Sequence, residues 1–151
     1  MIRHRDGRRV RARSEHGFTP LELLIAVAVA GVLVAGAYTT WQKYSNQQRL
    51  RAGAIQVASG LREGEERAKA ERTTYTVAFT ASSTTYVISR SAGGFVDKAA
   101  LPAGVTPQAS DTVTFSPFGQ PDAAHTITLQ NGTGTRTASI DSAGGITYQG
   151  P

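Results

Sequence analysis

A run of twenty residues, Phe18 to Ala37, contains a single ionisable side chain, that of Glu22. As a helix this run would rise about 30 Å, which is the thickness of the hydrocarbon core of a bilayer. A carboxylate within such a helix costs roughly 2.5–3.5 kcal/mol on insertion scales, so its presence indicates a function. The sequence therefore predicts a membrane-spanning helix whose Glu22 gains a charged partner when the chain leaves the lipid.

The positive charge of the chain is concentrated before this run. Residues 1–17 contain six Arg against Asp6 and Glu15, whereas residues 73–151 contain three basic and four acidic side chains. Because a basic flank of an apolar span stays in the cytoplasm, we expect a single-pass protein with its N terminus inside. Most of the chain would then lie outside the membrane.

Helical character continues after the apolar run as far as Arg72. Trp41 and Tyr44 occur where an aromatic belt would mark the outer membrane interface. Beyond them, a narrow apolar stripe predicts that this half of the helix packs against a sheet. The stripe consists of Ala54, Ile55, Ala58, Leu61 and Ala68.

Two further patterns concern the same half of the helix. Glu63 with Arg67 and Glu65 with Lys69 have the i,i+4 spacing of stabilising ion pairs on a solvated helix face. Three glycines interrupt the pattern, and each is expected to weaken the helix by up to about 1 kcal/mol relative to Ala. These are Gly53, Gly60 and Gly64.

After Arg72 the chain becomes rich in β-branched and turn residues, which predicts an all-strand segment. The fold class is therefore α+β, with one long N-terminal helix whose second half packs on an antiparallel sheet domain. The predicted strands are Thr74–Thr80, Thr84–Arg90, Asp111–Ser116, His125–Gln130, Thr135–Ile140 and Gly145–Gln149. The predicted segments are a basic leader (1–17), a transmembrane half of the helix (18–40), an amphipathic half (41–72) and a β-rich domain (73–151).

The segment Glu15-His16-Gly17-Phe18-Thr19-Pro20-Leu21-Glu22 resembles the processing site of type IV prepilins and pseudopilins. The resemblance implies cleavage between Gly17 and Phe18 by a prepilin peptidase, followed by N-methylation of Phe18 by a methyltransferase. It also implies that Glu22 forms a charge pair with the Phe18 ammonium of a neighbouring subunit. Two features depart from the family pattern: Pro20 replaces a commoner aliphatic residue, and Gly36-Ala37-Tyr38-Thr39 lacks the helix-kinking Pro of major pilins.

The C-terminal part resembles the globular domain of H-type minor pseudopilins, the GspH/FimT family. The resemblance rests on Phe115–Gly119, the strand Thr126–Gln130 and the segment Ala138–Gly145. It implies a pilin-like fold and a low-abundance subunit at or near the tip of a type IV pilus or type II secretion pseudopilus. The implied partners are other pilin subunits, an inner-membrane assembly platform and, before assembly, membrane lipid. The implied location is the bacterial inner membrane and then a periplasmic or extracellular filament, and no cofactor is implied.

Two alternatives concern export and nucleic acid. Ala35-Gly36-Ala37 satisfies the small-x-small rule of a signal peptidase, which would release a soluble domain beginning at Tyr38. Some relatives bind DNA during uptake, and binding requires clustered cations. In the sheet domain Arg136 and Arg90 are the candidate contacts, together with Lys98.

An enzymatic function is not expected from the side chains that the chain offers. It contains no Cys, and His125 is the only His after the leader. Neither a metal site with several His ligands nor a Ser–His–Asp system can be assembled from this set. We expect His125 to be a surface or turn residue and predict no catalytic or metal site.

Overall fold

The computed structural model describes residues 17–149, so that most of the predicted leader lies outside the described residues. The chain divides into two units, Met1–Tyr38 and Thr39–Pro151, which are treated separately below. A single helix, α1 (Pro20–Glu71), contributes residues to both units. The continuous helix that the sequence predicts is thereby confirmed.

Two antiparallel four-stranded sheets form the rest of the second unit. The first has the strand order β3-β2-β1-β5 and the second has the order β4-β6-β7-β8. The strands are β1 (Tyr75–Phe79), β2 (Thr85–Arg90), β3 (Val96–Ala100), β4 (Thr106–Pro107), β5 (Asp111–Phe115), β6 (His125–Asn131), β7 (Gly134–Ile140) and β8 (Ile146–Tyr148). A long helix with antiparallel sheets agrees with the predicted fold class.

Six of the strands match the predicted ones to within one or two residues, but β3 and β4 were not predicted. β3 reads Val-Asp-Lys-Ala-Ala and exposes most of its residues at the edge of its sheet. Such a segment has little local β propensity. It is a strand because its backbone pairs with β2, from Thr85 opposite Ala100 to Ser89 opposite Val96.

The second half of α1 packs on both sheets and completes the core. Its buried residues agree with the predicted stripe, except that Ile55 is 40% exposed. The stripe omitted Leu50, Val57 and the three glycines, all of which are buried. The largest fully buried side chains of the sheets are Tyr75, Phe79, Phe115, Ile88, Ile127, Leu129 and Ile140.

The three helix glycines lie where α1 closely approaches its neighbours. A Cβ atom at Gly60 would lie 2.5 Å from the ring of Tyr86, and one at Gly64 would lie 2.7 Å from Val77. At Gly53 it would lie 3.0 Å from Val105. The glycines therefore cost helix propensity, as expected from the sequence, but they let the helix come close to the sheets.

Candidate processing and assembly site

The start of α1 is fixed by Thr19, which caps the helix. The backbone N–H of Glu22 donates to Thr19 Oγ1 at 3.2 Å, and the N–H of Leu23 donates to the Thr19 carbonyl at 3.1 Å. Pro20 takes the first helical position, where a missing N–H is tolerated. Thr19 and Glu22 have the T-x-x-E spacing of a capping box. The sequence contains this signal, but the prediction for Glu22 rested on its charge and on the prepilin motif, and not on the cap.

The predicted cleavage junction precedes this cap and lies in irregular backbone. Gly17 is exposed, and a Cβ atom placed on it would meet no other atom within 4 Å. The side chain of Phe18 is 77% exposed. The described part of the chain therefore leaves the bond between Gly17 and Phe18 open to another protein.

The apolar half of α1 is exposed along its length. Its most apolar 18-residue window has a mean hydropathy of 2.2, and none of that window is buried within the chain. Glu22 is exposed as well and forms no ion pair with another described residue. By length and composition the apolar half of α1 can cross a membrane, and its single carboxylate lies in the first turn.

The predicted ion pairs on the second half of α1 are present. Arg67 donates to Glu63 at 2.8 and 2.9 Å, and Lys69 is bonded to Glu65. The bond to Glu63 raises the pKa of Arg67 further, so that this side chain stays charged. These acidic residues therefore lie on an ion-paired helix face, as expected.

The two candidate DNA contacts are already bonded within the chain and lie in different sheets. Arg90 is on β2, where it pairs with Glu71 at 3.2 Å and donates to the Gly93 carbonyl at 2.7 Å. Arg136 is on β7, where its guanidinium donates to the Gln149 carbonyl at 3.3 Å. The structure therefore gives these two arginines local structural partners and does not combine them into one cationic surface.

His125 differs from the surface residue that we expected, because its side chain is only 14% exposed. It opens β6, and its ring lies between two carboxylates. Nδ1 is 3.0 Å from Asp111 on β5, and Nε2 is 3.2 Å from Asp122 in the preceding loop. His125 thus links one sheet to the other. The fourteen-residue separation from Asp111 gave no signal in the sequence.

The surroundings of Asp122 lower the pKa of its carboxyl group. Partial burial acts to raise its pKa, but the Thr114 N–H at 2.9 Å and the His125 ring outweigh that effect and lower it. The folded chain therefore binds the Asp122 proton less tightly than the unfolded chain does. This linkage stabilises the fold above about pH 4 and is lost as the pH falls through the lowered pKa.

We expect Asp122→Asn to lower the free energy of unfolding at about pH 6 by less than about 1 kcal/mol, because the carboxylate is half exposed. The difference from wild type should disappear towards about pH 2–3, where the wild-type carboxylate is also protonated. Denaturant unfolding of residues 39–151 at the two pH values measures it. Asp97→Asn on the exposed strand β3 is the control and should change little. A deficit for Asp122→Asn that is equal at both pH values would contradict the assignment.

No group of three or more His, Cys, Asp or Glu side chains among residues 17–149 is arranged to hold a metal ion. The His125 ring bonds to Asp111 through Nδ1 and to Asp122 through Nε2. Among the described residues, the candidate site therefore consists of an open N-terminal junction and an exposed carboxylate, Glu22, without an ion-pair partner.

Comparison with known proteins supports this description. A family model described as the prokaryotic N-terminal methylation motif matches residues 12–38. Two crystal forms of the type IV minor pilin FimU from Pseudomonas aeruginosa strain PAO1 have a similar structure. The first has a TM-score of 0.54 and 18% identity, covering 71% of this chain and 92% of FimU. The second has a TM-score of 0.53 and 19% identity, covering 67% and 93%. Curated protein sequences gave no match.

The N-terminal segment matches a methylation motif, and the fold is similar to that of a type IV minor pilin. These likenesses support the predicted resemblance to type IV pilins. Proteins of this class are structural subunits and not enzymes, which agrees with the expectation drawn from the side-chain inventory.

Proposed function

We propose that the chain is a minor pilin or pseudopilin of the GspH/FimT type, which joins a type IV pilus or a type II secretion filament at or near its tip. The observation that carries the proposal is the methylation motif, which includes Gly17 and Phe18, on a chain with a minor pilin fold. The C-terminal resemblance to H-type pseudopilins supports the narrower assignment.

The precursor is first inserted in the inner membrane with its leader in the cytoplasm. The prepilin peptidase removes residues 1–17, and a methyltransferase modifies the new amine of Phe18. The exposed junction before the Thr19 cap supports this step, because the bond to be cut is not part of the helix. An assembly platform then transfers the subunit to a filament, where the apolar half of α1 packs against the helices of other subunits.

The charge on Glu22 favours transfer of the subunit from the membrane to the filament, because it gains an ion-pair partner there. An α-amine with a pKa near 8 is largely cationic at neutral pH. In a staggered stack of helices, the Phe18 ammonium of one subunit can reach the Glu22 carboxylate of the next. The Glu22 carboxylate has no ion-pair partner among residues 17–149, which supports this role. Lipid offers it no cation, whereas a neighbouring subunit does.

The site of cleavage is the direct test. In cells that contain a prepilin peptidase, we expect the mature chain to begin at Phe18 and to carry one added methyl group, as read by N-terminal sequencing and mass spectrometry. A mature chain that begins at Tyr38 would instead identify a soluble exported domain and would contradict the proposal.

Two matched substitutions separate the peptidases. Gly17→Leu places a bulky side chain next to the proposed scissile bond and should leave the precursor uncut. Ala37→Leu removes a small residue that a signal peptidase requires and should leave processing at Phe18 unchanged. The reverse pattern would assign the cut to signal peptidase.

A further inference from the structure

Residues 38–52 of α1, which directly follow the apolar run, carry cations and no acids. Between Glu22 and Glu63 no acidic residue occurs, whereas Lys43, Arg49 and Arg51 follow one another within nine residues. All three are exposed, and none pairs with an acidic side chain of the described chain. The arginines and lysine that are paired lie further along the chain, at Arg67, Lys69 and Arg90. The first three cations, here called the proximal cluster, therefore remain available to a partner.

Two exposed aromatic side chains bracket the first of these cations. Trp41 is 71% exposed and Tyr44 is 57% exposed. Such rings prefer the headgroup level of a bilayer, which places Lys43 at the same level. Arg49 and Arg51 lie about 9 and 12 Å further along the helix axis than Lys43. Their long side chains bring the guanidinium groups within about one Debye length, roughly 8 Å, of a charged surface.

The loops that meet this part of the helix would not repel an anionic surface. The turn between β6 and β7 contacts it, because the Asn131 side-chain amide donates to the Asn46 carbonyl at 2.8 Å. The segment 101–105 packs near Gly53, where Pro102 and Val105 lie against the helix. Neither the turn 131–134 nor the segment 101–105 contains a charged residue.

The orientation of the protein in the membrane does not account for the proximal cluster. Cations that flank a span on the exported side oppose export of that side. The six arginines of residues 1–17 must therefore have the larger effect on the orientation of the span. A cluster that works against membrane insertion and finds no partner within the described chain requires another explanation. Anionic lipid supplies one, because its phosphates lie at the level that Trp41 and Tyr44 define.

We propose that Lys43, Arg49 and Arg51 bind the headgroups of anionic phospholipids in the leaflet from which the globular unit emerges. The inference rests on the proposed membrane stage of the subunit and adds a lipid preference to it. The contact is Coulombic and involves several headgroups, so it holds the start of the globular unit at the membrane surface. It must be released before the subunit enters a filament.

Trp41 is the only Trp of the chain and serves as the probe. The full chain is reconstituted in vesicles of phosphatidylcholine alone or mixed equally with phosphatidylglycerol, and the emission of Trp41 and its quenching by headgroup-labelled lipid are recorded. We expect a shift to shorter wavelength and stronger quenching in the anionic vesicles. Salt at about 1 M should abolish the difference, because the Debye length is then about 3 Å.

Two triple variants with the same loss of charge locate the effect. Lys43→Gln with Arg49→Gln and Arg51→Gln should lose the response to anionic lipid. Arg62→Gln with Arg72→Gln and Lys98→Gln should keep it, because these cations lie further from the span. An equal response of wild type to both kinds of vesicle, or an equal loss in both variants, would overturn the proposal.

Two other outcomes would contradict different parts of the argument, and flotation of the chain with vesicles in a density gradient distinguishes them. A chain that floats with neither kind of vesicle would contradict the membrane stage itself, and with it both the proposed function and the lipid site. A chain that floats with both kinds, shows no lipid-dependent change, and binds a short DNA duplex through the proximal cluster would retain the membrane stage. That result would assign the cluster to nucleic acid and overturn the lipid site alone.

Discussion

Glu22→Gln should remove most of the subunit from filaments while leaving it in the membrane fraction. Gln retains the shape of Glu and its compatibility with the Thr19 cap, but it cannot form an ion pair with the Phe18 ammonium. Loss of one partner of a buried pair typically costs about 3–5 kcal/mol. Since about 1.4 kcal/mol is a factor of ten, incorporation should fall roughly a hundredfold or more. Immunoblots of sheared filaments and of membranes measure both pools.

Thr19→Val is the matched control for this substitution. It removes the hydroxyl that accepts the Glu22 N–H but leaves the Glu22 charge in place. Loss of a helix cap costs about 1 kcal/mol, so incorporation should fall far less than with Glu22→Gln. Similar losses in both variants would mean that Glu22 serves the helix start and not a neighbouring subunit. Normal incorporation of Glu22→Gln would remove the proposed pair altogether.

Gly60→Ala should destabilise the globular unit, although Ala is the better helix former. The new Cβ would lie 2.5–2.8 Å from the ring and hydroxyl of Tyr86. That ring is held in place, since it packs on Phe79 with centroids 5.3 Å apart and its hydroxyl donates to the Gln56 carbonyl. Burial raises the pKa of Tyr86, so the hydroxyl keeps its proton.

Overpacking of this kind costs about 1–3 kcal/mol, and the gain in helix propensity offsets at most about 1 kcal/mol. Denaturant unfolding of residues 39–151, which form one compact unit, gives the difference. Ala52→Gly on the exposed face of α1 is the control and should also destabilise the unit, by about 1 kcal/mol. Gly→Ala at one position and Ala→Gly at the other should therefore both lower the free energy of unfolding. An increase in stability for Gly60→Ala would show that α1 does not approach the sheet so closely.

The sequence sufficed for features that depend on local pattern. The apolar run, the i,i+4 ion pairs and six strands follow from the periodicity and charge of neighbouring residues. β3 was missed because its Asp-Lys-Ala-Ala residues have no local preference for a strand, and only pairing with β2 gives it that structure. The division into two sheets was likewise not visible, because it depends on which distant strands pair.

Part of the candidate site can be proposed from the sequence for the same reason. Gly17, Phe18 and Glu22 belong to one short motif, which can be read in order along the chain. The cluster of His125 with Asp111 and Asp122 joins residues of two sheets, so its members acquire meaning only in the fold. The helix glycines were interpreted by their propensity alone, since the Tyr86 and Val77 side chains that require them lie far away in sequence.

The charges on β3 have a consequence for a chain that assembles with other copies or with related subunits. An open strand edge is a template onto which any extended chain can add, and crowded subunits with bare edges would aggregate into disordered cross-β material. On the edge strand β3, Asp97 and Lys98 are exposed and charged. As in many natural sheets, these charged side chains disfavour pairing of the edge strand with another chain. In a filament, subunits would then associate through the apolar half of α1, so that an ordered polymer depends on sheet edges that do not pair.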